Sequence, residues 1–393
     1  MNKKTICIAA LIALGSLVGC ANQKTQKQAA KEQWGRTRAT VLLSLANDQY
    51  RSGNLDKSAD TANQALAMDP TNVELHLLKA RLQIEEGQLE GALGDLGIAS
   101  RLAPEHAEID YLTGVIHQRW QRPEQALQAY SAAARKKPDD IAYLMAQSEM
   151  LVSMDRHAEA LKLLQARVVY FEHSAAIRDA IAQLHEQSGD LKQAVDFYRQ
   201  ASVLDGSDEN IRERLAWALY RVGDYRDAYS QFNRLARDPA NQKRIDLLTA
   251  TAGCEAKLGM FAESRRHLEL VVNLDVNATG AWLGIARTSL NLGDTRRAEL
   301  SATKAVSLEP RSVETQLTLG YVRLRQGRHD DAIAAFKRAN AANPSDVLSA
   351  CMVGVALERS GQKHEAGGWY ERAVKLDPKD ELACKLLADA RDF

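Results

Sequence analysis

Between Val313 and Pro378 the sequence states the same pattern twice, VETQLTLGYVRLRQGRHDDAIAAFKRANAANP and then SDVLSACMVGVALERSGQKHEAGGWYERAVKLDP. At an offset of 34 residues Gly320 falls on Gly354, Gly327 on Gly361, Ala332 on Ala366, Phe336 on Tyr370, Ala339 on Ala373 and Pro344 on Pro378. A repeat of this period constrains the fold more than any bulk property, because each copy is one supersecondary unit that must bury its apolar face against the next. Walking the pattern toward the N-terminus gives ten copies, starting at Ala39, Val73, Ala107, Ile141, Ala175, Glu209, Ile245, Thr279, Val313 and Val347. The register slips once, by two residues around Gln242 to Arg244.

Four positions recur. The eighth is Ala, Gly or Ser in every copy, and the twentieth is Ala or Ser. Uniformly small side chains mark places where two helices cross closely, since a packed interior has no slack for an added methylene. The fifteenth position is Gly in eight copies, with Gln121 and Asp155 as exceptions. Glycine enters a left-handed backbone freely, so it ends one helix and turns the chain. The thirty-second is Pro in six copies, Pro70, Pro104, Pro138, Pro310, Pro344 and Pro378. A ring without an N–H closes the second helix there. Positions one to fourteen therefore predict a helix A and eighteen to thirty-one a helix B. Apolar residues at helical spacing support both, as in Leu317, Leu319, Val322 and Leu324, or Ala332, Ile333, Phe336 and Ala339.

This array resembles the tetratricopeptide repeat family. The resemblance covers about residues 39–380 and implies an all-α fold, an α-solenoid of about ten helix-turn-helix repeats. Residues 381–393 predict a capping helix, with Leu382, Leu386 and Leu387 as an apolar stripe backed by Lys385, Asp389, Arg391 and Asp392. The fourth copy drifts: Asp155 replaces glycine, Arg167 stands where a small residue is usual, and Glu172 replaces proline. Ordinary repeat drift and a bend or partner site both account for it.

The N-terminus carries a different message. Residues 1–19 have a short positive start (Lys3, Lys4), an apolar run from Ile6 to Leu14 and a small-residue end, the layout of an export signal. Leu17, Val18, Gly19 and Cys20 resemble a bacterial lipobox, which implies cleavage before Cys20 and lipidation of its thiol. Two or more acyl chains hold a protein on a membrane stably. Ala21 is not the aspartate that retains such proteins at the inner membrane, which implies an outer-membrane address facing the periplasm where that sorting system exists. Residues 20–38 predict a lipidated start and a flexible, polar tether reaching roughly 20–25 Å. Lys24, Lys27 and Lys31 are either solvated or near anionic lipid.

Lys plus Arg equals Asp plus Glu, 51 each, so no basic excess points to nucleic acid. Of the five cysteines, Cys254, Cys351 and Cys384 lie in the array without metal spacing. No glycine-rich phosphate loop, HExxH pair, nucleophile elbow or metal-spaced cluster occurs. His157, His329 and His364 fall in interhelix turns. With residues 39–380 used by the array, no room remains for a catalytic domain, and no enzyme activity, cofactor, metal or small-molecule substrate is expected.

In the family it resembles, helix A lines the concave surface through positions two, five, nine, twelve and thirteen. Carried onto this chain, the resemblance implies a groove for protein or peptide partners. Position five supplies Leu77, Tyr111, Met145, Leu283 and Leu317; position nine Arg81, Trp217, Arg287 and Tyr321; position twelve Tyr50 and Tyr220. Trp217, Tyr220 and Arg221 form the strongest single patch, although the same side chains could pack against neighbouring helices. Position thirteen is basic in six copies, Arg51, Arg119, Arg221, Lys257, Arg325 and Arg359. Either a helix C-terminus attracts these cations or they form a ladder for an acidic partner. The Lys and Asn clamp with which some relatives hold chaperone C-termini is not met, since Leu43, Leu78 and Glu108 stand at several of its positions. The expectation is a membrane-anchored scaffold, similar in architecture to the repeat lipoproteins of pilus and secretion-system assembly. The alternative is an adaptor for cell-wall or exopolysaccharide enzymes, or for the polymer itself.

Overall fold

The computed structural model describes residues 3–391, with side chains described for 27–390. The export signal and the Cys20 side chain therefore lie outside the described side chains. Among the described residues the chain is all-α: 21 α-helices, one short 3-10 turn and no strand. The first helix, α1, runs Lys3–Arg51, and its last thirteen residues from Ala39 serve as helix A of the first copy. From there the copies alternate as expected. Helix A occupies positions one to thirteen and helix B seventeen to thirty, as in Val313–Arg325 followed by His329–Ala342. The chain divides into two compact units, Met1–Leu184 and His185–Phe393.

Residues 21–38, expected as a flexible tether, continue α1 as helix. The local chemistry explains it. No Gly or Pro lies between Cys20 and Trp34, and Ala29, Ala30, Lys31, Glu32 and Gln33 are good helix formers. Gln28 also donates to Glu32 one turn on at 3.3 Å.

All ten copies use the left-handed turn at position fifteen. The eight glycines have φ between 76° and 86°, while Gln121 and Asp155 adopt the same conformation at 56° and 58°. Residues with a Cβ are strained there by about 1–2 kcal/mol. Gln121→Gly is expected to stabilise the first unit by about 0.5–1 kcal/mol, the relief being partly offset by the extra freedom of glycine in the unfolded chain. A urea midpoint that falls instead would contradict this account of the turn. Helix B then starts on a capping aspartate in several copies: Asp190, Asp224 and Asp294 accept from Gln193, Asp227 and Arg297 backbone N–H groups.

The small positions are explained by what they face. Position eight lies against position twenty-four of the same copy. A Cβ on Gly114 would sit 2.6 Å from the Tyr130 ring, and one on Gly320 2.6 Å from Phe336. Gly354 stands in the same relation to Tyr370. Where position twenty is serine, Ser58 and Ser264 donate at 2.8 Å to the position-eight carbonyls of Ala46 and Ala252. Tyr130, Tyr198 and Tyr370 are buried, and each hydroxyl donates to a position-twelve side chain, Gln118, Glu186 or Glu358, at 2.6–2.8 Å.

Copies are joined by three devices. Apolar clusters bridge one hairpin and the next helix, as where Ala332 and Phe336 meet Val353, Leu357 and Tyr370. A position-four side chain reaches back to the carbonyl that ends the preceding copy: His76 to Pro70, Arg212 to Gly206, Trp282 to Val276 and Gln316 to Pro310. Successive B helices are pinned by ion pairs 28 residues apart, Arg199–Asp227, Glu269–Arg297 and Lys337–Glu365. Each is exposed and contributes roughly 0–1 kcal/mol.

The two-residue slip is absorbed in the turn before Ile245. There Arg244 bridges Glu213 and Asp246, with nitrogen–oxygen distances of 2.6–3.2 Å, and holds the Asp246 carboxyl below the usual range. In the fourth copy helix B stops at Arg167, and a 3-10 turn follows over Val168–Tyr170. The last helix, Glu381–Arg391, covers the tenth copy with Leu386, Leu387 and Ala390. Leu382 differs from expectation: it is exposed, and Ala383 takes the buried place.

Candidate functional site

The A helices of the last three copies, Thr279–Asn291, Val313–Arg325 and Val347–Arg359, enclose a pocket of about 790 Å3. It lies wholly within the second unit. Its apolar wall is Leu290, Leu317, Leu348 and Met352, with Phe336 of the intervening helix B behind. Its polar groups are Arg287, Asn291, Glu314, Thr318, Tyr321 and Arg325. Tyr321 is 45% exposed and Leu348 47%, so a large aromatic and a large aliphatic side chain face solvent across one opening. Arg287 is held by Glu314 at 2.6 Å, which leaves the two neutralised by each other. Arg325 has no ion pair among the described residues, so the pocket carries one uncompensated cation. An apolar side chain beside a carboxylate matches this lining.

Four of the expected groove residues, Arg287, Leu317, Tyr321 and Arg325, are thus brought together. The others go elsewhere. Trp217 and Tyr220 are half-buried and packed edge-on against Phe232, with ring centroids 5.2 and 6.4 Å away; Tyr220 also meets Tyr225 at 5.6 Å. The Tyr220 hydroxyl lies where a Cβ on Gly253 of the next copy would be, 2.7 Å off. Arg221 is exposed and paired with Glu186. Leu77 and Leu283, carried to the groove at position five, are core residues.

Profiles of the tetratricopeptide repeat match residues 283–347, 317–381, 49–116 and 176–211, together about half of the chain. The chain belongs to the tetratricopeptide repeat family. Among curated tetratricopeptide and other proteins, it is 24% identical over 181 residues to "Tetratricopeptide repeat protein 8" of Caenorhabditis elegans, covering 46% of this chain and 35% of that protein. It is 28% identical over 232 residues to "Cellulose synthase operon protein C" of Pseudomonas fluorescens SBW25, covering 58% of this chain and 16% of that protein. The chain therefore spans about a third and about a sixth of these relatives. Among solved structures, the APC/C hetero-tetramer Cut9-Hcn1 aligns with a TM-score of 0.46 at 12% identity over 94% of each chain. Yeast Tom70 aligns at 0.44 and 13% identity over 90% of this chain and 88% of that one.

Tetratricopeptide repeats imply protein–protein interaction, and the basic position thirteen of these repeats has a partly structural use. Arg119 donates at 2.6 Å to the Ile84 carbonyl and lies 3.8 Å from Glu85, both at the C-terminal end of the preceding helix A. The Lys257 ammonium sits 5.9 Å from the Tyr225 ring centroid. Arg119, and Arg221 through Glu186, thus meet a carbonyl or an acid where the preceding helix A ends, whereas Lys257 meets an aromatic ring. Arg325 and Arg359 make no such bond among the described residues. Arg359 lines a separate polar notch between the turns of the ninth and tenth repeats, with Arg328, Asp331 and Gln362.

In the first unit Tyr111 lies between Tyr130 and Tyr143, tilted against both rings, with centroids 5.6 and 5.1 Å away. Burial, with Glu149 nearby, raises its hydroxyl above the usual phenol range. It is a half-buried wall rather than an open contact. Burial likewise pushes the Cys254 thiol up to about 12 and Cys351 to about 11, so both stay protonated and inert. Among the described residues no group of three or more His, Cys, Asp or Glu is placed to hold a metal ion, and no helix is long and apolar enough to cross a membrane. Sequence reasoning missed Leu348, Met352 and Thr318. Leu348 stands at position two, which the family resemblance had already marked; the other two stand at position six, where nothing in the sequence distinguishes them from core.

Proposed function

We propose that this chain is a non-enzymatic scaffold, anchored by lipid on Cys20 to a bacterial envelope membrane, that assembles a multiprotein envelope machine by gripping protein segments on its A helices. One observation carries the reading: the pocket of about 790 Å3 across three consecutive repeats, where exposed Tyr321 and Arg325, which has no ion pair among the described residues, flank an apolar wall. Exposed aromatic and arginine side chains around an apolar centre are the residues that dominate binding energy. The preferred occupant is an extended segment with an apolar residue next to an acidic one.

The test is a photo-crosslinker at position 321 in cells, with partners recovered from detergent-solubilised envelope. A discrete crosslinked protein is expected, and Arg325→Glu should reduce its yield at least tenfold. Equal capture by the parent and Arg325→Glu chains would remove the pocket from the reading. Cys20→Ala should leave an unacylated chain, soluble or uncleaved, and persistence of a lipidated form in that variant would remove the anchor. A second reading is favoured by the similarity to "Cellulose synthase operon protein C": an adaptor for enzymes of polymer synthesis or export. It predicts that the crosslinked partner is such an enzyme rather than a pilus or secretion component.

A further inference from the structure

We propose that α1 carries a second membrane contact, an exposed helix face built to lie on an anionic lipid surface. Lys27, Lys31, Trp34, Arg38, Val41 and Leu45 follow one another at spacings of four and three residues, which on a helix places them in one stripe. All six are exposed, Trp34 at 62%, Val41 at 65% and Leu45 at 47%. A neighbouring side of α1, about a quarter-turn round from the stripe, is where the helix joins the array: Ala39 and Ala46 are buried, and Gly35 lies against the Met68 carbonyl so closely that a Cβ would come within 3.1 Å of it. The stripe is therefore an exposed flank of an element already fixed along a neighbouring side.

Its chemistry selects the occupant. The Arg38 guanidinium sits 5.4 Å from the Trp34 ring centroid, so a charged group and an indole share one spot, the combination suited to the headgroup level of a bilayer. Lys27 and Lys31 extend the positive charge toward the N-terminus, while Val41 and Leu45 offer apolar area beyond. Glu32 lies on another flank and Asp48 about a turn past Leu45. The stripe thus has three cations and no acid between Lys27 and Leu45. A second copy of the chain fits poorly: parallel pairing sets cation against cation, and antiparallel pairing lays cations over Val41 and Leu45. The face also lies on the same helix as the expected lipid anchor, Trp34 being about 21 Å along it from Cys20. The inference rests on the membrane-anchored reading only for that placement.

The test separates the two. The full chain carrying Cys20→Ser is mixed with vesicles of phosphatidylcholine alone or with about 30% phosphatidylglycerol, and binding is read by co-sedimentation. The Ile6 to Leu14 segment with Lys3 and Lys4 is common to the parent and the triple variant, so the readout is the difference between the two in anionic preference. The expected result is preferential binding to the anionic vesicles, weakened by salt. Lys27→Gln, Lys31→Gln and Arg38→Gln together should reduce it on the order of 100-fold. Unchanged anionic binding in the triple variant, with the helix intact by circular dichroism, would overturn the proposal. So would a dimer in light scattering that Val41→Asp and Leu45→Asp dissolve while vesicle binding persists. Failure of the lipid anchor would show instead as an unmodified Cys20 in the cellular protein.

Discussion

Gly354→Leu is expected to destabilise the last repeats by about 1–3 kcal/mol, seen as a lower melting midpoint and faster hydrogen exchange from Val347 to Leu376. The cause is local and specific. Even a Cβ at Gly354 would collide with the Tyr370 ring. That ring cannot swing aside, because it is fully buried and its hydroxyl donates to Glu358 at 2.7 Å. The chain itself indicates the remedy. In the second and seventh copies the crossing is made by Ala80 with Leu96 and Ala252 with Leu268, a slightly larger residue at position eight facing a smaller one at twenty-four. Gly354→Ala combined with Tyr370→Leu should therefore recover much of what Gly354→Ala alone loses. An unchanged melt for Gly354→Leu would mean that position eight does not lie at the crossing and that the repeat register is misplaced.

Those positions were legible in the sequence because a single steric demand recurs in every copy. Left-handed backbone calls for glycine eight times, and the same conformation holds at Gln121 and Asp155 where the residue type no longer announces it. The partners across the crossing were present in the text as well, Gly114 with Tyr130, Gly320 with Phe336 and Gly354 with Tyr370. Only the structure shows that the two columns touch. The position-four bonds were hidden for another reason: His76, Arg212, Trp282 and Gln316 share an N–H and nothing else, so no residue identity repeats. The ion pairs between B helices escape pattern reading because their polarity reverses, basic before acidic at Arg199–Asp227 and Lys337–Glu365 and the opposite at Glu269–Arg297.

At the candidate site the same limit appears. Position nine is Trp217 in one repeat and Tyr321 in another, two aromatic residues at one helical register. Trp217 meets Phe232 and is half-buried, whereas Tyr321 is among the exposed side chains of the pocket. Register places a side chain on a face; its neighbours decide whether it reaches solvent. Position thirteen shows the complementary case, where Arg119 bonds the Ile84 carbonyl and Arg325 has no ion pair among the described residues, although both close a helix A.

Phe336→Ala should be the most damaging single change in the second unit, costing about 3–5 kcal/mol. The ring is fully buried, lies beneath Gly320, packs with Val353 and Leu357 of the next repeat, and backs the pocket. Because stacked repeats are stabilised through nearest-neighbour interfaces, the loss should fall on the eighth to tenth repeats while protection in Glu209–Val222 changes little. Partner capture at Tyr321 should fall with it, since the pocket loses its rear wall. Arg325→Ala is the control: an exposed side chain without an ion pair among the described residues should leave the melt within about 0.5 kcal/mol of the parent while weakening capture. If Phe336→Ala melted like the parent, the ring would not be supporting the interface between the ninth and tenth repeats. If Arg325→Ala lowered stability as much as Phe336→Ala, its cation would be serving the fold, as Arg119 does, and would not be available to a partner.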